Sequence, residues 1–391
     1  MRIRVVTPWY PDNYSRYSGI FVKKQVDALR SVGHEVEVEI PSIFPAPQGE
    51  VPGAVMSALD SLASQDPGRA FEELEDGVKV PAPVPAQSGD LGRALAFEAS
   101  LAIRRKYTGF VSDVVHAHLG VPTGLASLRL GDSPLIVTEH QSTLNRVFSQ
   151  AGGVAAYREV IEHSQAFLCV SEHLRELILT AVGRDLEESI RVVPNIVDLA
   201  DVEFRARKAP FGHWIYVGTL AQHKGVELLL KSFKTFKRHK PDAQMTLVGE
   251  GPHRPWIERF VAGAGLGAAV RLVGSVPHEN LGRLLGQADL MVHLSPSETF
   301  GVASLEGIGA GLPVISLRNG GAASAWGEIE QLVGKLLPLE ASHDDVARAA
   351  IELCTDDVRL DLRLGRRFVE ERYSPRSVTS TLQDIYASAL P

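Results

Sequence analysis

The chain has only two cysteines in 391 residues, Cys169 and Cys354, both in apolar stretches. Two thiols so placed exclude a disulfide framework and lack metal-ligand spacing, so buried free thiols in a reducing cytoplasm are expected. Long hydrophobic runs are also missing. No uninterrupted apolar stretch reaches the ~18 residues that span a bilayer, and Arg2–Thr7 reads as a buried strand rather than the start of a signal peptide. An Asp-x-Asp pair, a common way to hold a divalent ion on a nucleotide diphosphate, occurs nowhere. Metal-independent chemistry without a cofactor is therefore expected. There is no Walker loop and no G-x-S-x-G nucleophile elbow. A basic surplus is lacking too: residues 1–200 carry 18 Lys and Arg against 25 Asp and Glu, and residues 201–391 carry 22 of each. The acidic first half argues against nucleic acid or an anionic lipid surface as its partner and suits a neutral or cationic one.

What is present is an alternation of short apolar strands and helices. A hydrophobic content of 45% and a mean hydropathy of +0.01 suit a soluble globular protein, and the length favours two domains. In the first half Arg2–Thr7, Val36–Ile40, Val114–Ala117, Leu135–Thr138, Phe167–Val170 and Ile190–Val193 read as strands, with helices such as Ile20–Val32 between most of them. The second half repeats the scheme with His213–Val217, Met245–Val248, Val270–Val273, Leu290–Leu294 and Val314–Ser316. Near-continuous apolar strands alternating with helices imply parallel sheets covered on both faces. The expected fold is therefore α/β, two tandem Rossmann-like doubly wound domains.

Asn195–Phe211 is the expected connector, between a domain at 1–200 and one at 201–375, with a final helix at 376–391 packing back toward the first domain. Phe44–Asp90 breaks the alternation; rich in Pro, Gly, Ser and Ala, it reads as an irregular insertion with a short helix or two, either a functional loop or a decoration. Ligands of open α/β sheets bind beyond the carboxyl ends of the strands, so an interdomain cleft is the expected site.

The most informative segment is LSPSETFGVASLEGIGAGLPVIS, Leu294–Ser316. It holds two glutamates, Glu298 and Glu306, separated by seven residues. Glu298 lies in a loop after an apolar strand and Glu306 about one turn into a helix expected to begin near Ser304. A loop entering a helix N-terminus offers free N–H groups and the positive end of the dipole, a geometry for phosphate. Two carboxylates beside it can accept hydrogen bonds from sugar hydroxyls. Gly301, Gly307, Gly309 and Gly311 cluster there at a cost to the helix, as expected where backbone approaches a ligand or another element closely. The segment reads as a seat for a phosphorylated, hydroxyl-rich ligand such as a nucleotide sugar. Elsewhere Gly19 opens a helix and can bring N–H groups to a phosphate. Of His116 and His118, on one face of a strand, His118 is the better candidate for a cleft and His116 for the core; a metal reading lacks partners. Glu139 and His140 end the next strand as secondary candidates. Lys224 precedes an amphipathic helix, where a lysine can neutralise a diphosphate as a point charge.

Together these residues resemble the retaining glycosyltransferases of family 4, with their two-domain GT-B architecture. The resemblance spans most of the chain: SGIFVKKQVDALRSVGHEVEV, VVHAHLG, VSEHLREL with RVVPNIVD, VGTLAQHKGVELLLKSF, LVGEGP, RLVGSVP and the E-x7-E segment. It implies that Glu298 touches the hydroxyls of the transferred sugar, that Phe300, Gly301 and Val302 present N–H groups to sugar or phosphate, and that Glu306 holds the ribose. Lys224 would bind the diphosphate, Gly19 would lie against the phosphates, and His118 would sit near the reacting sugar. Arg16, Glu139 and His140 are the acceptor-binding candidates. The chain departs from the pattern at Thr219, where an arginine usually joins the lysine, at Ile196 and at Ser324; Arg16 or Arg318 is the expected substitute cation. The implied reaction moves a sugar from a nucleoside-diphosphate sugar to an acceptor hydroxyl with retention. A UDP-sugar is favoured over a GDP-sugar because small residues follow Val248 and Val273. The acceptor, a small molecule or saccharide, is expected to be soluble rather than lipid-linked. Two alternatives share the fold: a nucleotide-sugar epimerase and a catalytically silent nucleotide-sugar-binding homologue.

Overall fold

The computed structural model describes residues 1–12, 18–45, 52–85, 88–131, 133–354 and 359–390. The chain forms two compact units, one of residues 1–194 with 378–391 and one of residues 195–377. Arg16 lies outside the described residues.

The first unit holds strands β1 (Arg2–Val6), β2 (Glu35–Pro45), β3 (Glu72–Glu73), β4 (Val78–Val84), β5 (Val114–His118), β6 (Leu135–Glu139), β7 (Ala166–Cys169) and β8 (Ile190–Val192). Their order is β3-β4-β2-β1-β5-β6-β7-β8, parallel except for the β3–β4 pair. The second unit holds β9 (His213–Val217), β10 (Gln244–Val248), β11 (Val270–Gly274), β12 (Leu290–His293), β13 (Val314–Leu317) and β14 (Gly334–Leu337), ordered β11-β10-β9-β12-β13-β14 and all parallel. Each sheet runs outward in both directions from its first strand. The chain order therefore reverses between β1 and β5 and between β9 and β12, and the loops there splay apart to leave a crevice.

The span 44–90 is not the irregular insertion expected. It carries helices Pro52–Gln65 and Pro67–Ala70 and then β4, which pairs in parallel with β2 from Glu39↔Val78 to Pro45↔Val84. Proline disguised the strand, because Pro81 and Pro83 lack the N–H that a central strand needs. Two residues apart, they place their missing donors on one side of the strand. β4 tolerates this because only the two residues of β3 pair along its other edge.

The connector Asn195–Phe211 packs as part of the second unit. Arg207, 9% exposed, donates to Leu285 O, Gly286 O and Ala288 O, closing the carboxyl end of helix His278–Gln287. A helix terminus leaves such carbonyls short of donors, and here Leu285 O also accepts the Ala288 N–H. At the other end, Tyr386 of helix Pro375–Ala389 is fully buried in the first unit, its hydroxyl 2.7 Å from His116 Nδ1.

In the first unit a charge cluster replaces part of the apolar core. Glu39 on β2 is fully buried, with Arg4 Nε 3.3 Å from one oxygen and Arg105 Nη2 3.3 Å from the other. Burial pushes its carboxyl up, and the two guanidiniums oppose that. Removing one partner of such a cluster strands the others without water. Glu39→Ala should therefore cost about 3–5 kcal/mol, read as a lower denaturation midpoint for the first unit; an unchanged midpoint would refute the role.

Candidate active site

In the second unit the reversal lies between β9 and β12, and the two loops that leave those strands are joined there. The loop after β9 is anchored by helix Val226–His239, whose buried face repeats at Val226, Leu229, Leu230, Phe233 and Phe236. That i, i+3, i+4, i+7 stripe meets the sheet: Trp214 on β9 packs 4.8 Å from Phe236 and 5.5 Å from Phe233, ring centre to ring centre. Gly225 starts the helix in the left-handed region (φ 73°), and a Cβ there would lie 1.9 Å from Leu294 O. Only glycine lets the loop after β9 press this close to the end of β12.

That approach carries Lys224 to the loop after β12. Its Nζ lies 2.8 Å from Glu298 Oε1, with the two side chains 25% and 17% exposed. The Glu298 loop is held from behind. Its carbonyl accepts the Gly321 N–H at 3.0 Å, and a Cβ on Gly321 would stand 2.6 Å from that oxygen. Asn319 donates to Ser295 O at 2.8 Å while its Oδ1 caps helix Gly320–Trp326 through Ala322 N. Phe300 is buried edge-on to Tyr373.

Burial pushes the Glu298 carboxyl up, but His293, Lys224 and a hydrogen bond from Ser295 outweigh it and hold the group below the ordinary carboxylate range. His293 Nε2 stands 4.0 Å away and its ring stacks on Tyr216. Burial lowers the His293 imidazole, and Glu298 opposes that; Lys224 is the cation in direct contact with Glu298.

Helix Val302–Gly309 begins two residues earlier than expected; the Ser304 N–H turns back to Gly301 O at 3.1 Å, and the first two N–H groups, of Val302 and Ala303, have no intrahelical acceptor. Gly301 precedes it at φ 88°, and a Cβ there would meet nothing within 4 Å. The other glycines of the segment answer to packing instead. A Cβ on Gly307 would meet Met291 Sδ at 2.6 Å, one on Gly309 would meet Leu199 at 2.6 Å, and one on Gly311 would meet Arg205 O at 2.6 Å. Glu306 is 6% exposed, with His278 Nε2 3.3 Å from its Oε1. His278 carried no signal in the sequence beyond its place at a helix start. Arg318, an expected substitute for the arginine missing at Thr219, is half exposed and already paired with Glu330. Thr219 is exposed, and its carbonyl accepts the Tyr216 hydroxyl.

In the first unit the corresponding reversal is between β1 and β5. Gly19, at φ 63°, starts helix Ile20–Ser31 and lies so close to the loop after β1 that a Cβ would fall 1.9 Å from Trp9 O. His118 ends β5 fully buried, stacked on His116 at 4.6 Å and on His140 at 5.1 Å, with its Nδ1 2.8 Å from His140 Nε2. Its Nε2 has no hydrogen-bond partner among the described residues. Burial, and then the neighbouring imidazoles, hold His118 well below its ordinary value. It is a neutral hydrogen-bonding group. Leu119 follows at φ 80°, a strained setting for a bulky side chain, with the Thr123 hydroxyl donating to the carbonyls of His118 and Leu119.

His116 is the satisfied core residue expected, its two nitrogens meeting Tyr386 and Thr138. Glu139 departs from its expected role in acceptor binding. It is fully buried, and its oxygens accept Gly120 N, His140 N, Gln141 N and the Tyr157 hydroxyl at 2.6–2.8 Å. With those oxygens so engaged, it braces the loops after β5 and β6. His140 is 7% exposed against Phe21. Among the described residues no three His, Cys, Asp or Glu side chains converge as a metal site, and no helix is long and apolar enough to cross a membrane.

Comparison with known proteins identifies the family. Residues 18–201 match the model described as Glycosyltransferase Family 4, and residues 209–371 match Glycosyl transferases group 1. The chain belongs to the family 4 glycosyltransferases. It is 27% identical to a glycogen synthase of Mycobacterium tuberculosis, over 100% of this chain and 95% of that protein. The sucrose-phosphate synthase of Thermosynechococcus elongatus superposes with a TM-score of 0.72 at 17% identity, covering 99% of this chain and 98% of that one. Anabaena Alr3699/HepE in complex with UDP-glucose superposes at 0.66 with 16% identity, covering 99% and 100%. Both structures are likenesses of fold, and that fold is GT-B.

The pH dependence of Glu298 follows from its depressed value. Its ion pair contributes stability fully above the ordinary 4.5, and the contribution is lost as pH falls through the lower folded value. The stability gap between wild type and Glu298→Gln, measured by denaturant titration, should therefore narrow on going from about pH 7 to about pH 3. A gap independent of pH would contradict the pairing.

Proposed function

We propose that the protein transfers a sugar, with retention of anomeric configuration, from a nucleoside-diphosphate sugar to an acceptor hydroxyl. The observation that carries this reading is the Lys224–Glu298 pair beside the Gly301 turn, with Glu306 one turn into the helix that follows. A cation and a helix N-terminus meet where a diphosphate would lie, and two carboxylates flank it for hydroxyls. A UDP-sugar is the favoured donor, with a GDP-sugar as second choice; HepE, of the same fold, has been crystallised with UDP-glucose.

In this reading Glu306 accepts the ribose hydroxyls, and Phe300, Gly301 and Val302 direct N–H groups at sugar and phosphate. Glu298 holds the hydroxyls of the transferred sugar. Lys224, now bound to Glu298, shares its protons between that carboxylate and the diphosphate. The bond between the anomeric carbon and the β-phosphate oxygen breaks, and the acceptor oxygen bonds to that carbon on the same face. The acceptor's proton passes to the departing phosphate. No protein nucleophile and no metal are required: the protein contributes position and preorganised charge. Gly19 serves the phosphates, and His118 donates a single hydrogen bond through Nε2. Because Arg318 is engaged with Glu330, Lys224 bears more of the leaving-group charge than it would beside an arginine at position 219.

Lys224→Ala should lower kcat by about 2–4 kcal/mol of transition-state stabilisation and change KM less, measured with a panel of UDP-, GDP-, ADP- and dTDP-sugars. Near wild-type turnover in that variant would refute the role. Rapid conversion of the donor with no acceptor present would point to the epimerase, and donor binding without turnover on any acceptor to the silent homologue.

A further inference from the structure

The first unit contains a cavity of about 340 Å³ lined by side chains from the carboxyl ends of four adjacent strands. Pro8 and Trp9 follow β1, Ser42 and Ile43 lie among the last residues of β2 before Pro45, Leu119 and Pro122 follow β5, and Gln141 follows β6; Asp90, Arg93 and Arg146 also line it. The position beyond strand ends is where open α/β sheets bind ligands, and the volume suits a small molecule. Its charge is unlike that of its surroundings. Asp90, 2% exposed, accepts from Arg93 Nη1 at 3.0 Å, from Arg146 Nε at 3.1 Å and Nη2 at 2.9 Å, and from Gln150 Nε2 at 3.0 Å. Two guanidiniums therefore share one carboxylate, and one positive charge is left over. Arg146, 55% exposed, bonds Asp90 through Nε and Nη2 and, among the described residues, keeps Nη1 for a further acceptor. A guanidinium already oriented by a buried carboxylate loses little freedom on taking a second anion, and its planar fork suits phosphate or carboxylate.

We infer that this cavity takes an anionic, hydroxyl-bearing ligand, a sugar or polyol carrying phosphate or carboxylate, as the sugar acceptor. The identification as acceptor rests on the transferase reading above; the anionic character does not. Ser42 and Gln141 serve the hydroxyls, and the Trp9 ring supplies an apolar wall. The acidic balance of the first half, which suits a neutral or cationic partner, is overridden locally because Asp90 is already spent on the arginines.

The test is direct binding to the full chain, by calorimetry, of glucose 6-phosphate, inorganic phosphate and glucose, with UDP titrated separately. Glucose 6-phosphate and phosphate should bind and glucose should bind far more weakly. Raising salt should weaken the anions. Arg146→Gln and Arg93→Gln should weaken them about tenfold or more. Asp90→Asn should tighten them, an opposite shift that a damaged fold does not produce. Anion binding that is absent, insensitive to both arginines, or matched by glucose overturns the inference. Failure to bind UDP sinks the donor reading and leaves this one standing. A parallel sedimentation assay with phosphatidylinositol in phosphatidylcholine vesicles separates the sources of the anion. Co-sedimentation lost in Arg146→Gln assigns it to a lipid headgroup, and glucose 6-phosphate binding without co-sedimentation assigns it to a soluble sugar phosphate. Both outcomes support the anionic site.

Discussion

The ion pair between Lys224 and Glu298 joins two loops that leave neighbouring strands in opposite directions. β9 feeds the chain one way across its sheet and β12 the other, so nothing in the backbone ladder holds their loops together. What does is the contact of Gly225 with Leu294 O and the 2.8 Å bond that follows from it. Without a partner, a carboxylate as buried as Glu298 would favour its neutral form; with Lys224 beside it, it stays charged. The pair leaves a fixed acceptor and a mobile cation side by side at the mouth of a crevice, next to unpaired N–H groups of a helix start.

The protein uses buried carboxylates in two ways. Glu39 and Glu139 are enclosed by the protein itself and act as braces, Glu39 held on β2 by the charges of Arg4 and Arg105, and Glu139 with both oxygens filled by donors that fix the loops after β5 and β6. Glu298 is left partly open, and Asp90 passes on an unspent charge through the arginines it orients. The contrast is one of satisfaction. A carboxylate whose oxygens all meet protein donors has nothing to offer a ligand, whereas one that shares its cation does. Histidine divides the same way in the first unit, with His116 filled by Thr138 and Tyr386 and His118 left, among the described residues, with one nitrogen unmatched.

Much of this was legible in the residues. Short apolar runs located nearly every strand, and the spacing of Glu298 and Glu306 marked the second unit's segment. Three features were not legible, each for a physical reason. β4 was hidden because proline reads as a strand breaker, and only the sheet reveals that both prolines can sit along one lightly covered edge. Yet β4 is what completes the β4-β2-β1 half of the doubly wound order. The roles of Gly307, Gly309 and Gly311 were hidden because a packing glycine and a ligand-facing one look alike in one dimension; the neighbouring Met291, Leu199 and Arg205 separate them from Gly301. Glu139 ended a strand like a binding residue, but its saturation by Gly120, His140, Gln141 and Tyr157 depends on loops that meet only in the fold.

The central claim is that the segment around Gly301 is a seat for a nucleoside diphosphate, and equilibrium titration of UDP tests it most directly. The account predicts that UDP binds the wild-type protein and that Glu306→Gln weakens it about tenfold or more, about 1.4 kcal/mol, while leaving inorganic phosphate binding unchanged, because Glu306 serves the ribose alone. UDP binding as tight in Glu306→Gln as in the wild type would contradict it.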